Sequence, residues 1–425
     1  MLKDRMSAVA YKWFTFVVLV LGGGTIFKLS SLKDAFYVPM QEFMGLSNTQ
    51  IGMALSVYGL VQTIGNFASI YLADRFSKRK MISISLVGIG LTGIYISTFP
   101  GYMGILISWA LLSFWGEIVY WPVLLKAVRL LGTSEEQGRL FGFLEAGRGI
   151  VDTIVAFTAL AIFVGLGETA FALRGSILFY SGIVIAVGIV SYFLVEDDKV
   201  SQEVLEGKVS QSKVAFDGML KAIKMPEIWV VSFMIFSVYS VYCGLTYFIP
   251  FLKDIYGLPV ALVGAYGIIN QYGLKMVGGP VGGFLVDKKF HSPIRYTRVA
   301  LIIAIIYMVI FMMLPHKNFN VYLGMVLTLG YGAIIFTMRA VFFANVDEID
   351  VPRDISGAAM SIACILGYAP QLFCFALYGY LLDSYPGFTG YQFVFSCMIG
   401  FSILGVIIST VLLRMVKRRK AMVQQ

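Results

Sequence analysis

Long apolar runs recur along the whole chain, and short polar turns separate them. Two examples are MISISLVGIGLTGIYI and ILFYSGIVIAVGIVSYFLV, and most runs extend over about 20 residues, the length of an α-helix that crosses a bilayer. Such runs are too long and too uncharged for the core helices of a soluble protein. The pattern therefore predicts an all-α membrane protein that crosses the bilayer many times.

Dividing the apolar runs at their turns gives about twelve spanning helices. They lie near residues 12–40, 50–73, 80–99, 102–126, 138–165, 171–194, 227–251, 259–286, 297–314, 320–345, 356–382 and 389–414. A long polar segment between the sixth and seventh helices divides them into two sets. We expect an N-terminal six-helix half at residues 1–194, a cytoplasmic central loop at 195–226 and a C-terminal six-helix half at 227–425.

Lysine and arginine are distributed unequally between the two sides of the predicted bundle. Both termini, the central segment and every second turn carry most of them, whereas the opposite side receives only Arg174, Lys253 and Lys317. Basic residues accumulate on the cytoplasmic side of membrane proteins. The distribution therefore predicts cytoplasmic termini, and it explains the net charge of +9 without a nucleic-acid partner.

The composition excludes several kinds of site. Only 13% of the residues are charged, against about 25% in soluble domains. The four cysteines are scattered singly in apolar runs, and both histidines fall in predicted loops, so we expect no disulfide framework and no metal site. The sequence also has no ATP-binding loop and no nucleophile–base constellation. We therefore expect a protein that is not an enzyme and that has no cofactor and no catalytic residues.

A related motif follows the second and the eighth predicted helix, as IYLADRFSKRK and as GFLVDKKFHSPIR. Two related six-helix halves with this motif resemble the major facilitator superfamily of secondary transporters. The resemblance implies the major facilitator fold, with two pseudo-symmetric halves, although Ile70 and Ser77 replace two glycines of the family motif. In that family the aspartate and the basic residues latch one conformation. The implied latch residues are Asp74, Arg75, Arg79, Asp287 and Lys288.

Longer segments resemble the sugar-phosphate permeases, the organophosphate:phosphate antiporter family of bacteria. Examples are FYVPMQEFMGLSNTQIG, WGEIVYWPVLLKAVRLLGTSEEQGRLFGFLEAGRG and VDEIDVPRDISGAAMSIACILGYAPQ. The resemblance implies a multi-pass protein of the bacterial cytoplasmic (inner) membrane. That family holds phosphate with arginines in helices 1 and 7, but these positions fall near Ser31 and on Tyr242, while its helix 5 histidine falls on Arg148. The charges of the cavity are therefore displaced relative to the family.

Ionisable residues inside the predicted helices are the main candidates for a site, because each costs about 2.5 to 3.5 kcal/mol on insertion. By helical rise, Arg148 and Lys275 lie about 15 Å and about 18 Å from the cytoplasmic ends of helices 5 and 8. Both depths are near the midplane, where transporters of this kind bind substrate between their halves. Two cations at that depth, on helices from opposite halves, favour a site for an anion.

Both cations have a structural alternative. Glu145 and Asp152 lie at i−3 and i+4 from Arg148, so the three residues form an intrahelical ion-pair ladder, or they share Arg148 with the substrate. Lys275 has no acidic residue within a helical turn, and it meets the substrate or reaches Glu145 or Glu117 on another helix. Glu145, Glu117 and Asp152 are the candidates for proton coupling.

Other polar residues extend the candidate site. Lys28 in helix 1 faces the substrate or extends outward to the interface. Tyr242 occupies the position of the family's helix 7 arginine, and we expect it to contact the substrate. Asn270 and Gln271 are also candidate substrate contacts, although polar groups in such helices more often join one helix to another.

Arg339 lies near the predicted cytoplasmic end of helix 10. It joins a gate with Asp347 or Glu348, or it contacts the substrate. We group Arg339 and Glu348 with the latch residues.

These features predict a secondary transporter that moves a small organic anion by alternating access. The candidate substrates are a phosphorylated sugar or polyol, a carboxylate and a sulfonate, coupled to protons by symport or to a counter-anion by antiport. We expect a monomer in the lipid bilayer. Two alternatives are a proton-driven exporter of an amphipathic drug-like compound or lipid, and a transporter-like sensor or receptor.

Overall fold

The computed structural model describes residues 7–75, 77–132, 136–195, 220–316, 320–352 and 355–423, with residues 8, 66–75, 138, 420, 422 and 423 described in their backbone alone. These ranges form helices joined by short turns and contain no β-strand. The side chains of the predicted latch residues Asp74 and Arg75 lie outside the described part of the chain, and so does most of the predicted central loop.

The chain divides into two compact units. The first takes in Met1–Val200 and Pro259–Ile268, and the second takes in Ser201–Leu258 and Ile269–Gln425. The second division cuts a continuous helical stretch, residues 260–290, where an α-helix gives way to the π-helix Ile269–Gly273. Each unit therefore has its own helices and its own candidate residues.

The helices form where the apolar runs predict them, and each predicted span overlaps at least one helix. The helices of the first unit are Ala8–Thr25, Leu32–Met44, Asn48–Arg75, Lys78–Ser97, Tyr102–Ser113, the π-helix Phe114–Tyr120, Trp121–Leu130, Gln137–Gly165, Ala170–Leu194 and Val260–Ile268. Those of the second unit are Pro226–Gly244, the 3₁₀-helix Leu245–Tyr247, Phe248–Tyr256, the π-helix Ile269–Gly273, Leu274–Leu285, the π-helix Val286–Phe290, Pro293–Met313, Val321–Val341, Ala344–Glu348, Ser356–Tyr368, the 3₁₀-helix Ala369–Leu372, Cys374–Ser384 and Phe388–Val423.

The prediction of an all-α membrane protein is confirmed. Within the described ranges, nine helices are long and apolar enough to cross a membrane, and Val9–Thr25 is a shorter apolar helix. A bilayer offers no hydrogen bonds to the backbone, so a helix, which satisfies its own backbone groups, is the form that these runs adopt.

The first predicted span differs from a single continuous helix. A first helix ends at Thr25, residues 26–31 form a turn, and a second helix spans Leu32–Met44. Three glycines precede the turn, and glycine disfavours a helix by about 1 kcal/mol relative to alanine. The second piece is itself kinked, because Pro39 lies inside it and Phe36 has non-helical angles of φ −126° and ψ 29°.

Glycines bring pairs of helices close together in both units. A β-carbon at Gly24 would lie 2.6 Å from Cβ of Val151, so the helix Ala8–Thr25 packs directly on Gln137–Gly165. In the second unit, a β-carbon at Gly278 would lie 2.9 Å from the backbone carbon of Phe336. Small residues permit this backbone approach between membrane helices.

Candidate functional site

Arg148 lies in the first unit and is only 7% exposed. Its Nε donates a hydrogen bond to the backbone carbonyl of Gly23 at 3.0 Å, and its Nη1 donates to Oε1 of Glu145 at 2.6 Å. The guanidinium carbon lies 4.4 Å from the centroid of the Trp121 ring. Because a carbonyl, a carboxylate and an aromatic face each hold one part of the group, the orientation of the guanidinium is fixed.

The close helix contact explains why Arg148 reaches the backbone of the first helix. A β-carbon at Gly23 would lie 2.9 Å from Cδ of Arg148, and one at Gly147 would lie 2.6 Å from Cγ1 of Val20. Any larger residue at Gly23 would push the guanidinium away from the carbonyl that it now binds. The glycine run in the first helix therefore positions Arg148.

Asp152 binds Lys28 rather than completing a ladder with Arg148. The Nζ of Lys28 lies 2.9 Å from Oδ1 of Asp152, and it also donates to the backbone carbonyl of Asp152. Lys28 lies in the turn at 26–31 and is only 2% exposed, so it does not extend outward to the interface. The break in the first span brings Lys28 to Asp152, and of the predicted ladder only the contact between Glu145 and Arg148 is present.

The other two candidate carboxylates differ in their exposure and their contacts. The side chain of Glu145 is 55% exposed. Glu117 lies in the π-helix Phe114–Tyr120, is half-buried and accepts a hydrogen bond from the Tyr58 hydroxyl at 2.8 Å.

Tyr242 and Gln271 lie together in the second unit. The Tyr242 hydroxyl donates to Oε1 of Gln271 at 3.2 Å. Asn270 is fully buried, and its Nδ2 lies 3.4 Å from the backbone carbonyl of Leu245. Asn270 therefore joins two helices, and Tyr242 contacts Gln271, while the role of all three residues as substrate contacts stays a prediction. Both amides belong to the π-helix Ile269–Gly273, and π-helical turns are frequent at functional sites.

Arg339 stacks on tyrosines and does not pair with a carboxylate of the described chain. Its guanidinium carbon lies 3.9 Å from the Tyr242 ring centroid and 5.8 Å from that of Tyr239. The predicted gate contact with Glu348 is not formed, because Glu348 accepts hydrogen bonds from the Ser292 hydroxyl at 2.6 Å and from the backbone N–H of Ile294 at 2.9 Å. These bonds hold Glu348 at the start of the helix Pro293–Met313.

Three of the remaining candidates are exposed, and the fourth contacts an aromatic ring. Lys275 is exposed on the helix Leu274–Leu285. Asp287 and Lys288 are exposed in the π-helix Val286–Phe290 and form no ion pair with described residues. The guanidinium carbon of Arg79 lies 4.2 Å from the Tyr192 ring centroid. The structure thus shows an aromatic partner for Arg79, and the pairing of the implied latch stays a prediction.

The sequence analysis selects Tyr242 but not Tyr239, Tyr368 or Gln371. The spacing of Tyr239 and Tyr242, three positions apart on one helix, places both rings on one face and was the available signal. Tyr368 and Gln371 carry no such signal, because the end of the helix Ser356–Tyr368 brings them to Tyr239 only in the folded chain.

Comparisons with known proteins agree with this architecture. The sequence profile of the Major Facilitator Superfamily matches residues 19–373. The inner membrane protein YihN of Escherichia coli is 52% identical over 409 residues, which cover 96% of this chain and 97% of that protein. The glycerol-3-phosphate transporter of Bacillus subtilis is 21% identical over 431 residues and covers 95% of each chain.

The fold also has a solved counterpart. The crystal structure of a bacterial homologue of the human lysosomal transporter Spinster, in an inward-facing and unoccupied conformation, superposes with a TM-score of 0.78. The identity is 14%, and the match covers 96% of this chain and 98% of that chain. The profile match and the similarity to YihN confirm the superfamily that the two related loop motifs predict. The chain belongs to the Major Facilitator Superfamily of membrane transporters.

Proposed function

We propose that this protein is a secondary transporter that moves a small organic anion across the bacterial inner membrane by alternating access. The observation that carries the proposal is the geometry of Arg148. Its hydrogen bonds to described residues use Nε and Nη1 alone. Arginine presents five N–H donors in one plane, so donors remain for the oxygens of a carboxylate, a phosphate or a sulfonate.

The partner of Arg148 is one that a substrate can replace. Only the Glu145 side of this ion pair is exposed, at 55%, whereas Arg148 is buried. A substrate anion that displaces Glu145 makes a charge-assisted hydrogen bond to the buried guanidinium in its place. The carbonyl of Gly23 and the face of Trp121 hold the guanidinium in place during the exchange.

One distant relative supports an anionic substrate. It is a glycerol-3-phosphate transporter, whose named substrate is a small phosphorylated polyol. We therefore propose a small molecule that carries at least one oxyanion group. We propose Lys275 as a further source of positive charge. We also propose that both termini lie in the cytoplasm.

Coupling is proposed to involve Glu145. Asp152 is held by Lys28, and Glu117 is held by Tyr58, whereas Glu145 is exposed and contacts Arg148. Proton binding to Glu145 would release Arg148 for the anion, which gives proton symport. Exchange with a counter-anion at Arg148 is the alternative form of coupling.

A thermal-shift screen of the purified full chain tests the proposal. The probes are sn-glycerol 3-phosphate, D-glycerate and 2-hydroxyethanesulfonate, with glycerol as the neutral control and tetraphenylphosphonium as a hydrophobic cation. A ligand that binds the folded state raises the free energy of unfolding by RT ln(1 + [L]/Kd) and so raises the melting temperature. At least one anion should raise the melting temperature with this logarithmic dependence on its concentration, and glycerol should not. Stabilisation by the cation alone would favour the amphipathic exporter and reject the proposal.

A further inference from the structure

A second cationic cluster lies wholly within the second unit, around Arg339. The guanidinium is 3.9 Å from the ring centroid of Tyr242. The Tyr239 ring lies 5.3 Å from the Tyr242 ring, and the Tyr368 ring meets Tyr239 edge-on, with centroids 4.8 Å apart and an interplanar angle of 81°. We call Arg339, Tyr239, Tyr242 and Tyr368 the arginine–tyrosine cluster.

Hydrogen bonds fix two of the tyrosine rings. The Tyr242 hydroxyl donates to Gln271 at 3.2 Å, and the Tyr239 hydroxyl donates to Gln371 at 3.3 Å. Phe336 packs edge-on against Tyr242, with centroids 5.6 Å apart. Because both tyrosine hydroxyls are engaged with buried amides, the ring faces, and not the hydroxyls, are presented to Arg339.

Stacking leaves the hydrogen-bond donors of Arg339 unused. An aromatic ring contacts the flat face of a guanidinium, while the five N–H donors point outward in the guanidinium plane. Within the part of the chain that the structure describes, none of these donors makes a hydrogen bond and no carboxylate pairs with the group. Arginine remains charged in proteins, so the cluster is a cation held by its face with its edge available.

The obvious structural partner of Arg339 is engaged elsewhere. Glu348 is bound to the Ser292 hydroxyl and to the backbone of Ile294. A structural arginine in a membrane helix is usually paired with a carboxylate or with backbone carbonyls. Arg339 has neither among the described residues, although it is partly shielded from solvent. Among the described residues, the edge of the Arg339 guanidinium is therefore open to an anion from outside the chain.

We propose that Arg339 is an anion-binding residue of the second unit, which binds an oxyanion group of the transported molecule through the edge of its guanidinium. This inference rests on the proposed function and deepens it. The fork of two parallel N–H donors fits carboxylate, phosphate and sulfonate oxygens, and the tyrosine faces hold the fork in one plane. Tyr242 and Tyr239 act as positioning residues, since they reach the anion only through Arg339.

Lysine at position 339 separates this role from a simple need for positive charge. A lysine keeps the charge but has neither the planar fork nor a flat face to stack on tyrosine. Arg339→Lys is therefore expected to fold and to bind anions poorly. Arg174→Gln is the matched control, because Arg174 also stacks on an aromatic ring, Phe99 at 4.6 Å, but is exposed.

The test compares the wild-type protein with Arg339→Lys, Arg339→Gln, Tyr242→Phe and Arg174→Gln as purified full chains. Their affinities are measured for sn-glycerol 3-phosphate, D-glycerate and 2-hydroxyethanesulfonate. Arg339→Lys and Arg339→Gln should weaken binding of the recognised anion at least about tenfold. Tyr242→Phe, which keeps the ring, should weaken it less, and Arg174→Gln should leave it unchanged.

The outcomes separate the two proposals. If the wild type binds none of the three anions, the proposed function fails. If the wild type binds an anion and folded Arg339→Lys binds it equally well, the role of Arg339 is refuted while the proposed function stands. Should Arg339→Gln fail to fold, Arg339→Lys alone decides the question.

Discussion

The ammonium group of Lys28 lies 2.9 Å from Oδ1 of Asp152 and also donates a hydrogen bond to the backbone carbonyl of Asp152. Lys28 belongs to the turn that interrupts the first span, and Asp152 belongs to the helix that carries Arg148. Lys28 is almost fully buried, so water screens the pair very little. The pair therefore ties the interrupted span to the helix of the proposed substrate residue.

Removing one partner of this pair should destabilise the protein strongly. Lys28→Met leaves the Asp152 carboxylate buried and unpaired, which costs about 3 to 5 kcal/mol. The double variant Lys28→Met/Asp152→Leu should recover most of that loss, because the Asp152 charge is then removed as well. The melting temperature of the purified protein measures both effects.

An exposed ion pair provides the control. Arg139 lies 3.2 Å from Glu136, and the Arg139 side chain is 57% exposed. Arg139→Gln should change stability by no more than about 1 kcal/mol. Equal stability of Lys28→Met and the wild type would contradict the buried pair.

Gly24→Ala should disturb the contact between the helix Ala8–Thr25 and the helix that carries Arg148. Its new β-carbon would lie 2.6 Å from Cβ of Val151, so the two helices must separate, at a cost of about 1 to 3 kcal/mol. Gly182→Ala, at a helical position with nothing within 4 Å of the new β-carbon, should be neutral or slightly stabilising. Thermal unfolding of the two variants checks the contrast, and similar melting temperatures would argue against a close contact at Gly24.

The sequence predicts the helices but not their interruptions. Residues 26–31 are IFKLSS, which are apolar enough to extend a span, so hydropathy gives no sign of the turn there. The contact between Glu145 and Arg148 is predictable because helical spacing alone places both on one face. The partner of Asp152 is not predictable in this way, because Lys28 is brought to it by the turn.

The contacts of Arg339 are also not predictable from the sequence. Its tyrosines come from the helices Pro226–Gly244 and Ser356–Tyr368, which lie far away in the chain. Spacing along one helix cannot reveal a cluster that three helices build. The sequence therefore shows Arg339 as a charge inside a predicted helix. Its contacts with tyrosine rings are visible only in the folded unit.

Glu145→Gln should separate binding from coupling. A glutamine cannot bind the proton that the symport proposal assigns to Glu145, and it holds Arg148 less strongly than a carboxylate does. Proteoliposomes with this variant should retain anion exchange and lose uptake driven by a proton gradient. Gradient-driven uptake at the wild-type rate would exclude Glu145 as the coupling residue.

His316 should make stability depend on pH. It lies in the turn after the helix Pro293–Met313, its Nδ1 is 2.7 Å from the Tyr256 hydroxyl, and burial lowers its pKa below the ordinary value of 6.5. The unfolded chain therefore takes up a proton at a higher pH than the folded chain does. The contribution to stability is full above pH 6.5 and is lost as the pH falls through the lowered pKa.

Melting temperatures measured between pH 7.5 and pH 5 test whether stability falls as the pH is lowered. This range spans the ordinary histidine pKa of about 6.5. His316→Phe should flatten the acid side of the profile. A profile of the same steepness in His316→Phe would show that other groups cause the pH dependence.

Uptake of a radiolabelled anion into proteoliposomes measures whether Arg148 and Lys275 are needed for transport. The anion is the one that stabilises the wild-type protein most in the thermal-shift screen, and the variants are Arg148→Gln, Lys275→Gln and the control Arg174→Gln. We predict saturable uptake by the wild type and by Arg174→Gln, and loss of uptake in folded Arg148→Gln and Lys275→Gln. Uptake by folded Arg148→Gln at the wild-type rate would show that Arg148 does not bind the transported anion.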